Sequence, residues 1–290
     1  MPLTSLGLVI LAALCHASWN LLAKRAAGAG AVFVAAYTLV AALAYAPWML
    51  WLVAQGQISW SLPVVACIAV SGCIHLAYSL ALQRGYRVAD LSVVYPVARG
   101  TGPAIAFIGA FLLLGERPTL LGGFGLLAVI GGIALIATDG RFARFTRPEA
   151  TRGVRWGAGT GGLIAAYTVV DGWGVKVLGI HPVALDWCAN AVRLAMLAPT
   201  MLRDRTRSLA AMRGHWPAAM GVGLLAPAGY ILVLTALQLG APLHVVAPAR
   251  ELSMMAGTLL ALLILREPVG AARLAGCALM VLGVVLLSRG

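Results

Sequence analysis

Charge is scarce in this chain of 290 residues, since Asp, Glu, Lys and Arg together supply only 10% of it. A soluble domain carries roughly 25% charged residues, so the composition excludes an ordinary soluble fold. Apolar residues make up 61% of the chain, and the mean hydropathy is +0.94. We therefore interpret the sequence as an all-α integral membrane protein.

The sequence also lacks the motifs of cofactor-dependent and hydrolytic enzymes. Its five cysteines are scattered without the spacing of a metal site or a disulfide framework. No P-loop, G-x-S-x-G or His-Glu-x-x-His motif occurs. The stretch GAGTGG at 157–162 matches the dinucleotide pattern G-x-G-x-x-G, but it begins an apolar run and follows no predicted strand. We expect no cofactor, no metal and no catalytic residue.

Long apolar runs fill almost the whole chain. A transmembrane helix needs about 20 mainly apolar residues, and the segments that meet this condition leave little chain for a soluble domain. We predict ten transmembrane helices, at 3–23, 31–54, 61–82, 89–114, 119–138, 156–178, 183–202, 216–239, 243–265 and 270–288.

The basic residues lie mainly in alternate loops. A net charge of +12 is compatible with a nucleic-acid partner, but 15 of the 21 Lys and Arg residues fall in the loops after odd-numbered segments. Such a one-sided excess is typical of cytoplasmic loops. The pattern therefore predicts the lipid bilayer, and no nucleic acid, as a partner. It places the odd-numbered loops in the cytoplasm and both termini in the periplasm.

Two stretches of the chain share a pattern. ALQRGYRVADLSVVYPVARG and ALQLGAPLHVVAPARE both run from Ala-Leu-Gln through a proline to an arginine. Glu116 follows Arg99 after 17 residues, and Glu267 follows Arg250 after 17 residues. The equal spacing indicates an internal repeat. We interpret Glu116 and Glu267 as loop or cap residues at the start of the next helix.

The repeat divides the chain into two five-helix halves, 1–140 and 156–290, joined by a basic cytoplasmic linker at 141–155. Because five is odd, the second half inserts with the opposite orientation. Inverted repeats around a central cavity are typical of secondary transporters. Pro96 and Pro248 fall at matching places in the two halves, and we predict both as hinges, with a static kink as the alternative.

Ten segments, a five-plus-five repeat, HASWNLLAK in the first segment, and GERP and REP after the fourth and ninth resemble the drug/metabolite transporter superfamily. More narrowly, the chain resembles its EamA-type branch, which includes bacterial amino-acid and metabolite exporters. The resemblance covers essentially the whole chain. It implies alternating access and a central cavity lined by segments one, three, four, six, eight and nine.

Polar and aromatic side chains form stripes within several predicted segments. His16, Trp19 and Asn20 share one helical face, and a polar face inside the membrane must point at other helices or at a cavity. Hydrogen bonding between helices is the alternative for Asn20 and Ser79. The candidate substrate-binding residues are His16, Trp19, Asn20, His75, Tyr78, Ser79, Tyr95, Arg99, Asp171, Trp173, Tyr230, Arg250 and Glu251.

Two of these candidates, Arg99 and Arg250, lie well inside their segments. A buried arginine is costly in a bilayer and needs a partner. One partner is a substrate carboxylate, which a guanidinium binds in bidentate fashion. The other is an internal carboxylate, for which Glu251, Asp171 and Asp186 are available.

These features predict a secondary transporter of small organic metabolites in a bacterial inner membrane, with export of neutral or aromatic amino acids as the leading function. Drugs, sugars and nucleotide-linked metabolites are alternative substrates, and an intramembrane lipid-modifying enzyme is the alternative from another class. Proton exchange on His16, His75, Asp171 or Glu251 and facilitated diffusion both stay open. Because ten segments already supply both halves, we expect a monomer.

Overall fold

The computed structural model describes residues 2–88, 91–146, 150–264 and 270–290. Within these ranges the regular elements are helices, and no strand occurs. Glu267 lies outside the described residues, so its predicted role as a cap stays a prediction. The α-helices are α1 (Leu3–Arg25), α2 (Gly30–Ala54), α3 (Leu62–Val88), α4 (Leu91–Leu114), α5 (Leu120–Thr138), α6 (Ala150–Lys176), α7 (Pro182–Arg203), α8 (Arg205–Ala211), α9 (Trp216–Gln238), α10 (Leu243–Ala249), α11 (Leu252–Ile264) and α12 (Ala271–Arg289).

Seven helices in the described part of the chain are long and apolar enough to cross a membrane, namely α1, α2, α3, α4, α5, α9 and α12. Their outer surfaces expose large apolar side chains such as Leu113 and Phe124, as a lipid-facing surface requires. The helices α6 and α7 are long but carry buried charged residues such as Asp171 and Arg193. The count of ten transmembrane helices therefore stays a prediction.

The helix predicted at 243–265 is interrupted in its middle. α10 ends at Ala249 and α11 begins at Leu252, so Arg250 and Glu251 lie at the junction. The backbone there forms tight turns, because Glu251 N donates to Pro248 O at 3.0 Å and Ser253 N donates to Arg250 O at 3.2 Å. The fixed ring of Pro248 disfavours a regular helix at this place. The break thus coincides with two ionisable residues.

The other predicted hinge behaves differently. α4 continues through both Pro96 and Pro103 without interruption, so a pair of matching breaks is not found. The tolerance of α4 for proline fits a helix whose neighbours on both sides hold it in place. As hinges in a moving protein, Pro96 and Pro248 both stay predictions.

Helix contacts recur between the two parts of the chain. α1 packs on α9 as α6 packs on α3, and α2 packs on α9 as α7 packs on α3. α1 also packs on α11, while α6 packs on α4. The pairs α2–α7 and α5–α12 match themselves under the same correspondence. The contact pattern is therefore approximately two-fold symmetric.

Glycines bring α5 and α12 into backbone contact. A Cβ atom at Gly132 would lie 2.7 Å from the carbonyl oxygen of Gly276, and one at Gly283 would lie 2.7 Å from that of Gly125. Small residues permit such close approach of transmembrane helices. The same glycines therefore determine how closely these two helices pack.

We expect Gly132→Ala to lower the free energy of unfolding by about 1–3 kcal/mol, because the added methyl group overpacks a backbone contact. Thermal unfolding in detergent measures the effect. Gly123→Ala on the same helix is the matched control, since a Cβ atom there meets nothing within 4 Å. Equal unfolding midpoints for the two variants would contradict this account of the α5–α12 interface.

Candidate functional site

A cavity of about 110 Å³ lies among six helices and the junction after α10. At roughly 10–15 Å³ per water molecule, this space holds roughly seven to eleven waters, or one small polar molecule. Its walls combine aromatic rings, charged groups and small apolar residues. They are Ala12, His16, Trp19, Tyr37, Ala41, His75, Tyr78, Tyr167, Asp186, Asn190, Arg193, Val222, Ala226, Pro227, Gly229, Tyr230, Val233 and Arg250.

The structure brings part of the predicted set together around this cavity. Of the predicted residues, His16, Trp19, His75, Tyr78, Tyr230 and Arg250 line it, and Asp171 lies behind His75 and Tyr230. The others are not part of its wall: Ser79 binds Arg193, Tyr95 lies beside Arg99, Trp173 packs on the apolar core, Glu251 pairs with Arg99, and Asn20 lies outside the wall.

Sequence reasoning missed the contribution of α2 and α7. Among the described residues the wall includes Tyr37 and Ala41 from α2 and three residues of α7, and it includes none from α4. The family resemblance had implied segment four and neither of these helices, so the lining of this cavity differs from that expectation, which stays a prediction for the transport cycle. On α7 the residues Asp186, Asn190 and Arg193 are spaced i, i+4 and i+7, so they share one helical face as the predicted stripes on other segments do. The helical spacing of these polar residues could therefore have predicted that α7 contributes to the cavity.

Arg99 is held entirely by protein groups. Its Nε lies 2.7 Å from Glu251 Oε2, its Nη1 lies 3.1 Å from His16 Nε2, and its Nη2 donates to Ser253 Oγ at 2.6 Å. Arg99 is 5% exposed and Glu251 is fully buried. The contact with Glu251 is a close ion pair without hydrogen-bond alignment. These contacts favour the internal carboxylate over the substrate as the partner of Arg99.

Arg250 occupies the equivalent place in the repeat but has different neighbours. Its Nη2 donates to the Tyr167 hydroxyl at 3.4 Å, and its guanidinium lies 5.7 Å from the centre of the same ring. Among the described residues no carboxylate lies within ion-pair distance of it, although it is only 5% exposed. Because it also lines the cavity, Arg250 presents a buried cation to whatever enters.

On α7 the side chain of Asn190 lies between the buried Arg193 and Asp186. Arg193 donates to Asn190 Oδ1 at 3.0 Å, to the Tyr37 hydroxyl at 3.0 Å and to Ser79 Oγ at 3.2 Å. Asn190 in turn donates to Asp186 Oδ2 at 3.0 Å. Asp186 therefore faces the cavity with one side-chain hydrogen bond and, within the described ranges, no ion pair.

A third cluster joins α3, α6 and α9 beside the cavity. His75 Nε2 lies 2.9 Å from Asp171 Oδ2, and the Tyr230 hydroxyl donates to the same oxygen. The Tyr167 ring stacks on His75 with centroids 4.0 Å apart. Asp171 Oδ1 is buried and has no hydrogen-bond partner. The cluster holds one carboxylate oxygen firmly and leaves the other available.

Glu116 connects the loop after α4 with α6 and α10 through hydrogen bonds. Its Oε1 accepts from Lys176 Nζ at 2.5 Å and from Leu243 N at 2.7 Å, and its Oε2 lies 3.0 Å from His244 N and 2.7 Å from His244 Nδ1. It therefore caps the N-terminus of α10. Of the two predicted alternatives, loop or cap, the loop is confirmed, because Glu116 lies between α4 and α5, while Thr119 Oγ1 accepts from Gly122 N and caps α5.

The Glu116 cluster predicts a pH effect on stability. Burial opposes ionisation, but hydrogen bonds from His244, Lys176 and two backbone N–H groups lower the pKa of Glu116 from 4.5 to about 2. A lowered carboxyl pKa adds stability above pH 4.5 that is lost as the pH falls toward 2. We expect unfolding midpoints to fall across this window in the native protein and to fall less in Glu116→Gln. Parallel pH profiles for the two proteins would contradict the assignment.

Helices with apolar outer surfaces that enclose a cavity lined by polar and aromatic side chains define a multi-pass membrane protein. The sequence matches the EamA-like transporter family over residues 3–138 and 151–289. The chain therefore belongs to this family of the drug/metabolite transporter superfamily, which confirms the resemblance noted in the sequence.

One solved crystal structure of a protein matches with a TM-score of 0.73 and 17% identity, over 100% of this chain and 98% of the other. At that identity the likeness shows the fold alone. A comparison with curated proteins gives no match.

Proposed function

We propose that this protein is a secondary transporter that moves a small amino acid with a neutral or aromatic side chain by alternating access. The observation that carries this proposal is Arg250, a buried cation that faces the cavity without a carboxylate partner among the described residues. A desolvated arginine requires compensation, and a substrate carboxylate supplies it. Membership of a transporter family supports movement of the ligand, and not turnover, as the outcome.

The remaining walls of the cavity fit the other parts of an amino acid. Asp186 offers a carboxylate to an ammonium group, because Asn190 occupies only part of its hydrogen-bonding capacity. Trp19, Tyr78 and Tyr230 provide apolar faces for a side chain. Arg250 and Asp186 carry opposite charges and form no ion pair with another described residue. Such a pair of groups suits a zwitterion better than a sugar or an apolar drug.

Two inverted halves around this cavity, residues 1–140 and 156–290, supply the alternating access. Two separate family matches and the two-fold contact pattern support the division. From the basic loops we infer that the linker at 141–155 lies in the cytoplasm of a bacterium and that both termini lie in the periplasm. Export is the direction implied by resemblance to exporters, and a monomer holds both halves.

Solute counterflow in proteoliposomes tests the function without knowledge of the driving force. Vesicles are loaded in turn with each of the twenty amino acids, and entry of the labelled form is followed. We expect uptake for a subset with neutral or aromatic side chains. If folded protein takes up none of the twenty amino acids, amino-acid transport is overturned. Turnover of a lipid would identify an enzyme.

A further inference from the structure

A second cavity, of about 10 Å³, lies beside the first and has room for about one water molecule. Ser71 and Asp171 line it, and each has a buried side-chain oxygen without a hydrogen-bond partner. Ser71 is fully buried and Asp171 is 1% exposed. Unpartnered oxygens at such depth are costly, and they indicate that a small polar species occupies this place.

The two cavities share a wall. His75, Asp186, Asn190, Arg193 and Tyr230 line both of them. Asp171 is therefore separated from the central cavity by a single layer of side chains, so a change in its charge is felt there. Asp186, the group that suits an ammonium, faces both spaces.

The groups around Asp171 suit a proton better than a metal ion. A hard cation needs a shell of oxygen ligands, but Arg193 and His75 present nitrogen groups to this small space. Arg99 on α4 is bound to Glu251. Cys67 on α3, Asp186 on α7 and Tyr230 on α9 are the other titratable groups near Asp171. Tyr167 on α6 contacts His75, Tyr78 on α3 contacts Tyr167, and Arg250 after α10 lies near Tyr230.

We propose that the cluster of His75, Asp171 and Tyr230 binds one proton in each transport cycle and exchanges it for the substrate. The inference rests on the transport function proposed above. A proton from water on one side of the membrane binds the cluster through Asp171 Oδ1, and water on the other side accepts it. Protonation removes negative charge near Asp186, so it weakens binding of the substrate ammonium group. Proton and amino acid therefore oppose each other's binding, as an exchanger requires.

An imposed pH gradient tests the exchange in proteoliposomes, with a labelled mixture of the twenty amino acids as the probe. For one-to-one exchange, a gradient of about one pH unit supports about tenfold accumulation. We expect Asp171→Asn, which is neutral like the protonated cluster, to raise the KM for counterflow and to lose this accumulation, while Asp204→Asn, the same change at an exposed residue between α7 and α8, changes neither. Native protein that shows counterflow but no response to the pH gradient, or a response to a sodium gradient instead, would overturn the proposal.

Infrared titration of the purified protein tests proton binding without a substrate, so it applies even if counterflow fails. We expect a pH-dependent carboxyl C=O band that is present in the native protein and absent in Asp171→Asn. If that variant does not fold, Tyr230→Phe must shift the band, because it removes the hydrogen bond to Oδ2. Identical pH-dependent carboxyl bands in the native protein, Asp171→Asn and Tyr230→Phe would refute proton binding by the cluster.

Discussion

Replacing Glu251 with methionine is expected to lower the free energy of unfolding by about 3–5 kcal/mol, because it leaves Arg99 buried without its counter-charge. Of its hydrogen-bond partners Arg99 then retains only His16 and Ser253, and it still lies beside the Tyr95 ring. None of these contacts balances a full charge in a region of low dielectric constant. Thermal unfolding in detergent measures the loss.

The double variant Arg99→Met, Glu251→Met separates the cost of an unpaired charge from a loss of packing. Removing both partners of a buried ion pair is often neutral, so we expect this variant to unfold close to the native midpoint. If the double variant is as unstable as Glu251→Met alone, the pair does not act as a charge pair.

Arg250→Ala is expected to raise the KM for counterflow by roughly 10- to 150-fold. A hydrogen-bonded charge contact contributes about 1.5–3 kcal/mol, and each 1.4 kcal/mol corresponds to about tenfold in affinity. We expect no comparable loss of stability, because Arg250 has no ion-pair partner among the described residues and its removal leaves no such carboxylate unpaired. The concentration dependence of counterflow and the unfolding midpoint are measured on the same preparation.

Two variants serve as references for Arg250→Ala. Arg273→Ala removes a partly buried arginine on α12, 3.7 Å from Asp139 and outside the cavity wall, and is expected to leave KM unchanged. Arg250→Lys keeps the charge but loses the planar fork, so its KM should lie between those of the native protein and the alanine variant. An unchanged KM in Arg250→Ala would remove this residue from the site.

The contrast between the two arginines explains why sequence reasoning could not assign their roles. Arg99 is followed by Gly100, whereas Arg250 is followed by Glu251, so proximity in sequence suggests Arg250 as the partner of the glutamate. The break between α10 and α11 lies at this glutamate, and its carboxylate instead lies against Arg99. The partner of a buried charge depends on which helices meet, and that information is not local.

The stripe on α1 was only partly predictable for a similar reason. Helical periodicity placed His16, Trp19 and Asn20 on one face, yet His16 and Trp19 line the cavity and Asn20 does not. Periodicity gives the direction of a side chain around the helix axis. It does not give the depth at which the neighbouring helices leave a space.

Composition and periodicity by themselves determined that this chain is an all-helical membrane protein with polar stripes, because a bilayer admits only helices or closed barrels and long apolar runs predict helices. The ten predicted segments, the five-plus-five repeat and the stretches HASWNLLAK, GERP and REP also led to the right family. Only the tertiary structure decided that Arg99 belongs to Glu251, that Arg250 faces the cavity, that Glu116 caps α10, and that α7 replaces α4 in the wall. Those outcomes depend on contacts between residues far apart in the chain, which local patterns do not encode.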